Sequence, residues 1–442
     1  CPEFLGELAG AAASKLRSFS PQSLSNTAWA FATCGVAPGA LVTAIAAVAT
    51  VRLQDFRSVE CINLLWALAS LDAASQRLFC AAERKIVADL ASLVELNSSE
   101  ASLVAAASDA IDAVWAFHFA GRPHEDLVPA TRTAVRRAGR AADASAARPL
   151  GILGFAEVLE SFGQPMAGMA EQPRVVLDLP DRFVIHKPPH WQVDQSEAEV
   201  DASSGARQLS CFVRALLPPQ RWPIMRDAQR NRGFLHRLDV PGSGLILVAK
   251  TCEAYYDLEL QLSAGELLRD YLVLCHGWLP SSRCEVHARV LWWEGSSLQS
   301  QVHRRGKPSR TRLAVLAHAC RGALALSLVA FRILTGRQHQ IRLHSAHVGH
   351  ATIYDGKYAA EGTAVGDRSW CPRNFLHRHC LVFRDGQGTR QRAAAPLPPD
   401  LRKALDGVAA RDTGSARALG QLLQGREAAT WEERPASAPA KK

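Results

Sequence analysis

The most informative part of the sequence reads GFLHRLDVPGSGLILVAK and spans residues 233–250. Its last six residues form a short apolar run that predicts a buried strand, and the PGSG segment before them predicts a tight turn. Asp239 stands at the edge of that turn, where backbone can come close to a ligand. Further β-branched runs, separated by Pro and Gly, extend from Arg174 to Ile333. This part of the chain is therefore predicted to be a sheet domain with some helices.

The composition places the chain among globular proteins. Its 442 residues are 48% hydrophobic and 21% charged, which excludes a wholly disordered or fibrous chain. The net charge of +9 allows a polyanionic partner without proving one. Eleven cysteines without any C-x-x-C pair favour reduced thiols in an intracellular compartment over disulfides or zinc. The longest uncharged apolar run, residues 39–51, is shorter than the roughly 20 residues that a membrane span needs.

The first third of the chain repeats with a period of 37 residues. Phe19, Asn26 and Trp29 recur as Phe56, Asn63 and Trp66. A third copy is centred on Trp115, and a weaker fourth is expected around residues 153–156. Two helices per repeat are typical of an α-solenoid, in which each repeat buries its apolar face against its neighbours.

Each repeat unit is predicted to contain two helices. Ser20 followed by Pro21 predicts the start of the first helix, and Leu41, Ile45 and Val48 have the spacing of a second amphipathic helix. Core packing is the favoured interpretation of the repeated tryptophans, and stacking on nucleic-acid bases is the alternative.

Over about residues 15–165 these units resemble the helical-pair repeats of organellar RNA-processing proteins, such as the octotricopeptide and RAP-associated families. The resemblance rests on the hydrophobic positions around Trp29, Trp66 and Trp115. It implies that the repeats bind RNA and that the protein resides in a chloroplast or mitochondrion.

A second informative segment reads TGRQHQIRLHSAHVG and spans residues 335–349. It predicts a turn followed by a short helix that ends near Gly349. The segment concentrates groups suited to phosphate and base contacts, namely Arg337, His339, Gln340, Arg342 and His344. A solvated basic helix face is the alternative for this segment alone. A zinc site made by His339, His344, His347 and His350 is disfavoured, because carboxylates typical of a catalytic metal are missing nearby.

Asp239 taken alone also has simpler interpretations. A turn carboxylate paired with Arg237 is one of them. A kinase catalytic loop is another, but the aspartate comes one position late, and neither a D-F-G motif nor an early Gly-rich loop is present. We therefore reject the kinase interpretation.

Six segments, taken together and in this order, resemble the RluA-type pseudouridine synthases over about residues 174–383. The matching segments are residues 183–190, 236–245, 269–277, 306–311, 335–344 and 375–383, with Gly349, Asp355-Gly356 and Tyr358 continuing the fifth. The resemblance implies that Asp239 is the catalytic carboxylate that attacks the target uridine. It implies that Tyr271 stacks on the base and helps remove the proton from C5, and that Arg342 pairs with Asp239 and keeps it ionised.

The same resemblance implies a wider site. The expected RNA-binding residues are Lys187, His236, Arg237, Arg337, His339, Gln340 and His344, and the expected supporting residues are Gly244, Gly336 and Leu376. The uridine must leave the helical stack to be reached, so basic surroundings and an aromatic platform are expected. No metal or organic cofactor is expected, because the bond rearranges within one nucleotide.

The sequence departs from the family pattern at three places. Pro241-Gly242 precedes Ser243-Gly244 where the family usually has Thr-Ser-Gly, Asp270 stands where a neutral or basic residue is commoner, and Pro189-His190 replaces a small residue and Gly. These departures motivate a rival hypothesis, a catalytically inactive RNA-binding protein that keeps the synthase fold. A helical scaffold for a protein partner is a third hypothesis.

The predicted fold class is α+β. Residues 1–168 are predicted to form an α-helical repeat domain, residues 169–392 a mixed, mainly antiparallel sheet domain with flanking helices, and residues 393–442 a tail with one helix near 408–423 and otherwise disordered. The expected partner is RNA (ribosomal, transfer or messenger), with no membrane and no metal, and we expect a monomer. Because the chain opens at Cys1 and not at Met, we also expect it to be a fragment.

Overall fold

A computed structural model describes residues 2–95, 99–146, 171–193, 207–293, 299–428 and 431. Contacts divide the chain into two compact units. The helical unit comprises Cys1–Ala147, Thr251–Glu266 and His303–Lys307, and the sheet unit comprises Arg148–Lys250, Leu267–Val302 and Pro308–Lys442. The boundary predicted at residue 168 and the fourth repeat copy at residues 153–156 both lie outside the described residues.

The helical unit begins with seven helices among the described residues. They are α1 (Pro2–Lys15), α2 (Pro21–Cys34), α3 (Gly39–Val51), α4 (Ser58–Ser70), α5 (Gln76–Glu95), α6 (Glu100–Phe119) and α7 (Leu127–Ala146). Helix α2 starts as predicted, because the Ser20 hydroxyl accepts a hydrogen bond from the Ser23 amide and Pro21 needs no partner for a missing N–H. It ends at Gly35, whose φ of 65° is in the left-handed region.

The helices of this unit pack in alternation. Helix α4 lies between α2 and α6, while α5 contacts both α3 and α7. The rings of Trp66 and Trp115 are stacked, with centroids 6.5 Å apart. Trp29, at the corresponding position of α2, is 48% exposed. Core packing was therefore the wrong interpretation for Trp29, since nearly half of its surface is exposed.

The sheet unit carries most of the remaining elements. Its elements in the first half are β1 (Arg174–Asp178), β2 (Arg182–Lys187), β3 (Trp191–Gln192), β4 (Arg207–Gln208), α8 (Leu209–Leu216) and β5 (Ser243–Ala249). The next helix, α9 (Cys252–Ser263), belongs to the helical unit. The sheet unit continues with β6 (Leu268–His276), β7 (Glu285–His287), β8 (Val290–Leu291), β9 (Gln301–Val302), β10 (Arg310–Arg321), β11 (Leu324–Ile333), α10 (Gln340–His347) and α11 (Glu361–Arg368). Its last elements are β12 (Leu376–Arg384), β13 (Arg390–Ala394), α12 (Pro399–Asp406), β14 (Ala409–Ala410) and α13 (Thr413–Leu423).

The main sheet has the strand order β1-β2-β5-β12-β6-β11-β10-β14, with β13 on β12 and β7 on β10. Among the described pairings of this sheet, only β5 with β12 is parallel. The predicted α+β class, with an N-terminal helical region and a mainly antiparallel sheet, is confirmed. Strand β12 lies between β5 and β6, so the turn before β5 and the middle of β6 are held by one common neighbour.

The C-terminal region packs on the sheet instead of trailing from it. Leu401 and Leu405 of α12 are fully buried in one apolar cluster with Leu274, Leu328 and Phe375 of the sheet unit. The Ala-, Pro- and charge-rich composition of residues 393–442 predicted disorder at the position of α12. Its i, i+4 leucine pair is enough to bury one face against a preformed sheet. No helix in the described part of the chain is long and apolar enough to cross a membrane.

Candidate active site

Asp239 lies in a tight turn that leads into β5. The Gly242 amide donates to the Asp239 carbonyl at 3.0 Å and closes the turn. Two buried basic side chains hold the residues that follow Asp239. Lys187 donates to the Val240 carbonyl at 3.3 Å, and Arg373 donates to the Pro241 carbonyl at 3.1 Å. The Asp239 side chain keeps 18% of its surface exposed. The turn therefore presents a carboxylate on a fixed backbone while leaving it accessible.

Arg342 reaches this carboxylate from helix α10. Its Nη1 donates to Asp239 Oδ2 at 3.1 Å. The other side of the guanidinium forms a bidentate pair with the buried Asp355, at 2.8 and 2.6 Å. Asp355 also accepts from the Thr352 hydroxyl and from the amides of Lys357 and Tyr358, which fixes its orientation. Arg342 is thus held by one carboxylate and aimed at the other.

These charges set the ionisation of the site. Burial opposes the charged form of Asp239, but the positive charges of His339 and Arg342 outweigh it and hold the pKa of Asp239 below its ordinary value. Burial also lowers the pKa of His339, which disfavours its charged form. At neutral pH the permanent charge of Arg342 therefore keeps the pKa of Asp239 low. Burial lowers the pKa of Arg342, but its hydrogen bonds and ion pairs to Asp355 and Asp239 raise this pKa by more. Asp239 is consequently an anion at neutral pH.

His339 and Tyr358 complete the wall around Arg342. The residue before α10, His339, has a φ of 54°, which is unusual for a residue with a side chain. Its Nδ1 shares a hydrogen bond of 2.9 Å with the Tyr358 hydroxyl, and its Nε2 lies 3.8 Å from Asp239 Oδ1. The Tyr358 ring covers the Arg342 guanidinium, whose central carbon lies 5.3 Å from the ring centroid. The second oxygen of Asp239 therefore faces an imidazole at a distance longer than a hydrogen bond.

Tyr271 lies in the middle of β6 and is 3% exposed. Its hydroxyl accepts from Arg378 Nε at 2.9 Å and from Arg378 Nη2 at 2.5 Å. Asp270, the preceding residue, points to the opposite face of the sheet, as successive strand residues do. There it forms a buried bidentate pair with Arg332, at 2.6 and 2.7 Å. The unusual acidic residue beside Tyr271 is thus neutralised away from the tyrosine ring.

Several of the expected RNA-binding residues are buried. The Lys187 side-chain nitrogen donates to the carbonyls of Pro188, Trp191 and Val240. The Gln340 side-chain amide donates to the Arg310 carbonyl and to the Thr311 hydroxyl. His344 is fully buried, with its ring nitrogens against the Thr311 hydroxyl and the Ala288 carbonyl. These three side chains hold the loops of the site in place, and their proposed RNA contacts stay a prediction.

The other expected RNA-binding residues have different surroundings. His236 is 7% exposed, and neither ring nitrogen has a hydrogen-bond partner in the described part of the chain. Arg237 is half-buried, and its charge contributes to the low pKa of Asp239. Arg337 donates to the Pro308 carbonyl at 3.3 Å and lies 5.9 Å from the Trp292 ring. Arg237 and Arg337 are the better placed of these cations to meet a nucleic acid.

The three expected supporting residues lie against the site. Gly244 has a φ of 127°, and a Cβ there would lie 2.3 Å from the Arg378 carbonyl oxygen. A Cβ at Gly336 would approach the Arg269 guanidinium at 3.0 Å, and one at Gly242 would meet the Leu376 side chain at 3.5 Å. Gly244 is therefore required where β5 meets β12, because only glycine combines this φ with such close backbone approach.

The alternative of a zinc site at His339, His344, His347 and His350 finds no support in the geometry. His344 uses both ring nitrogens on protein partners, and His350 Nδ1 bonds to the His276 carbonyl. Across the described ranges no cluster of three or more His, Cys, Asp or Glu side chains is arranged to hold a metal ion.

Sequence reasoning missed three residues that contact the site. Asp355 and Tyr358 stand in the matched motif, but nothing in their spacing showed that they anchor and cover Arg342. Arg378 was missed entirely. The signal that could have found it is a charged residue in the middle of a strand whose other residues are buried.

The part of the chain that contains Asp239 and Arg342 matches a known family model. Residues 181–347 match the family model described as RNA pseudouridylate synthase. This match, together with the curated relatives that follow, identifies a pseudouridine synthase domain of the RluA type within the chain.

The chain is similar to ribosomal large subunit pseudouridine synthase C of Salmonella typhi, with 35% identity over 198 residues, 41% of this chain and 58% of that protein. It is also similar to the Escherichia coli K12 protein of the same name, with 36% identity over 193 residues, 41% of this chain and 57% of that protein. The chain thus spans less than two thirds of the length of these relatives. Among solved structures, human RNA pseudouridylate synthase domain containing 1 is similar, with a TM-score of 0.42 and 23% identity over 60% of this chain and 100% of that chain.

Proposed function

We propose that this protein is an RNA pseudouridine synthase that isomerises uridine to pseudouridine through Asp239. The observation that carries the proposal is the accessible Asp239 carboxylate, paired at 3.1 Å with an Arg342 that Asp355 holds in place. A carboxylate nucleophile must be ionised at neutral pH, and this arrangement lowers the pKa of Asp239. In the reaction the C1′–N1 bond breaks, a C1′–C5 bond forms, and the hydrogen on C5 is exchanged for one on N1. The chemistry balances within one nucleotide and solvent.

In this proposal the other residues prepare the reaction. Arg342 keeps Asp239 ionised, and Tyr271 provides the aromatic surface for the base and helps remove the C5 proton. The rival hypothesis is an inactive RNA-binding protein with the same fold. The ion pair favours catalysis over the rival, because it keeps an accessible carboxylate ionised, which is what a carboxylate nucleophile requires.

We propose ribosomal RNA as the first substrate class to test, because the similar bacterial proteins carry a ribosomal name. Transfer and messenger RNA are the alternatives, and we propose that the protein acts as a monomer. Residues 1–147 contain 12 Lys and Arg against 14 Asp and Glu, so their formal charge is −2, while the whole chain has +9. The positive charge that attracts phosphate thus belongs to the rest of the chain, and we expect the synthase domain to supply the salt-dependent part of RNA binding.

We further propose that the paired helices α2 to α7 form a solenoid of octotricopeptide- or RAP-type repeats that selects the RNA. The 37-residue period and the exposed Trp29 ring support base stacking in place of phosphate contacts. From the same resemblance we propose a chloroplast or mitochondrial location. Fluorescent tagging of the full-length protein in cells tests the location. Trp29→Ala tests the repeats, and we expect weaker RNA binding with an unchanged salt slope.

The decisive experiment incubates the protein with uridine-containing RNA and maps pseudouridine. We expect product with the unaltered chain and none with Asp239→Ala or the isosteric Asp239→Asn, while RNA affinity changes little because phosphate contacts dominate it. Asp385→Asn is the matched control, since that carboxylate accepts local amides in the turn at the far end of β12. Equal product from the Asp239 variants would refute the assignment. An inactive unaltered protein that still binds RNA would support the rival.

A further inference from the structure

Arg378 occupies a special position in the sheet. It lies on β12, where it is the cross-strand partner of Tyr271 on β6 and of Gly244 on β5. Its side chain is among the largest that are fully buried, with 1% exposure. The register therefore places one guanidinium between the strand that carries Tyr271 and the strand that follows Asp239.

All three nitrogens of the Arg378 guanidinium donate hydrogen bonds to neighbouring groups. Nε and Nη2 donate to the Tyr271 hydroxyl, Nη1 donates to the Leu245 carbonyl at 2.9 Å, and Nη2 also donates to the Arg237 carbonyl at 3.1 Å. The guanidinium centre lies 5.0 Å from the Tyr271 ring centroid. Among the described residues no carboxylate forms an ion pair with Arg378. Its charge is directed at a phenol oxygen.

Burying the Arg378 guanidinium without a carboxylate partner has a cost in desolvation free energy. Burial lowers the pKa of Arg378, and the interactions with Tyr271 and Asp239 only partly offset this. A neutral side chain could join β12 to its neighbours without that cost. Two guanidinium donors occupy both lone pairs of the phenol oxygen, so the hydroxyl itself can only donate. They also stabilise negative charge that develops on this oxygen, because hydrogen bonds from an ionised donor are stronger to an anion.

We propose that Arg378 is a positioning residue that holds the Tyr271 hydroxyl and stabilises the negative charge that develops on its oxygen during removal of the C5 proton. This inference rests on the proposed synthase function. In the step, the C5–H bond breaks, its electron pair returns to the pyrimidine ring, the proton passes to the Tyr271 oxygen, and the Tyr271 hydroxyl passes its own proton to solvent. N1 of the ring takes a proton from solvent, so protons balance.

The test compares two substrates that share every step except the last. RNA with 5-fluorouridine at the target can undergo C1′–N1 cleavage and C1′–C5 bond formation, but its C5 carries fluorine and has no proton to lose. We expect Arg378→Met to slow single-turnover conversion of uridine RNA about 10- to 100-fold, the effect of a lost charged hydrogen bond. Rearrangement of the fluorinated nucleoside, measured by mass spectrometry, should stay close to the unaltered rate.

Two further variants keep the proposal testable if Arg378→Met does not fold. Arg378→Lys keeps a cation near the phenol and should recover much of the uridine rate. Tyr271→Phe keeps the ring and removes the hydroxyl, so it should slow uridine RNA and spare fluorinated RNA in the same way. Where Arg378→Met folds, adding it to Tyr271→Phe should cause little further loss on uridine RNA.

The outcomes separate the inference from the function on which it rests. If Arg378→Met or Arg378→Lys slows both substrates equally, or if the Arg378→Met and Tyr271→Phe losses simply multiply, the residue is structural and the inference is wrong. If the unaltered protein converts no RNA at all, the proposed function fails first. An active protein without the substrate-dependent difference overturns the inference alone.

Discussion

Replacing Arg342 by glutamine tests the charge arrangement at the centre of the site. The substitution removes the donor that lies 3.1 Å from Asp239 Oδ2 and both donors to Asp355. A hydrogen bond to a charged group contributes about 1.5–3 kcal/mol, which corresponds to about 10- to 150-fold in rate. We expect kcat/KM at pH 7 to fall by at least this factor, because orientation and ionisation of Asp239 are lost together.

The pH dependence gives the sign of the effect. In the unaltered protein Arg342 and His339 hold the pKa of Asp239 below its ordinary value, so the carboxylate stays ionised as the pH falls towards that value. Without Arg342, burial is opposed by the remaining charges of His339 and Arg237, and the pKa of Asp239 rises. The acid limb of the single-turnover rate should therefore move to higher pH in Arg342→Gln. An acid limb that does not move would refute this account of the ion pair.

Arg332→Gln is the matched control for this experiment. Arg332 is buried to the same degree as Arg342 and also forms a bidentate pair with an aspartate, Asp270. Breaking either buried pair should cost about 3–5 kcal/mol of stability, because a carboxylate is left without its counter-charge. The two variants should lower the melting temperature similarly. Only Arg342→Gln should shift the acid limb.

Two further predictions concern stability. Gly244→Ala should lower the melting temperature and the turnover together, because its Cβ would lie 2.3 Å from the Arg378 carbonyl oxygen at a φ of 127°; Gly388→Ala, with a φ of 85° and open space, should cost only about 1 kcal/mol. Burial lowers the pKa of His344 to about 4 and the pKa of His377 to about 3. Below pH 6.5 the unfolded chain therefore binds more protons than the folded protein. For each of these histidines the free energy of unfolding should fall by about 1.4 kcal/mol per pH unit on acidification. Melting curves between pH 7 and 5 check this, and a flat profile would contradict it.

The sequence predicted the features that depend on local patterns. The helix start at Ser20 and Pro21 follows from capping chemistry, and the mainly antiparallel sheet follows from short β-branched runs separated by turns. The proximity of Asp239 and Arg342, which are 103 residues apart, came only from the family resemblance. No spacing rule connects a turn before β5 with a helix after β11.

The features that sequence reasoning missed depend on tertiary contacts. Arg378 shows its role only through the register that pairs it with Tyr271, and register is set by neighbouring strands and turns. Helix α12 depends on a sheet that buries Leu401 and Leu405, so its own charged composition was misleading. The exposure of Trp29 also depends on tertiary packing, because its side chain is 48% exposed although it stands at the position of Trp66 in the 37-residue period.

The departures from the family pattern bear on whether the site is active. Asp270 would repel the uracil anion if it faced the pocket, but strand alternation turns it away and Arg332 neutralises it. Pro241 contributes its carbonyl to Arg373, whose guanidinium is itself paired with Asp400, so the altered turn is braced. Neither departure removes the Arg342 bond to Asp239 or the Arg378 bonds to Tyr271. These two departures therefore supply no physical reason to prefer the rival hypothesis of an inactive protein.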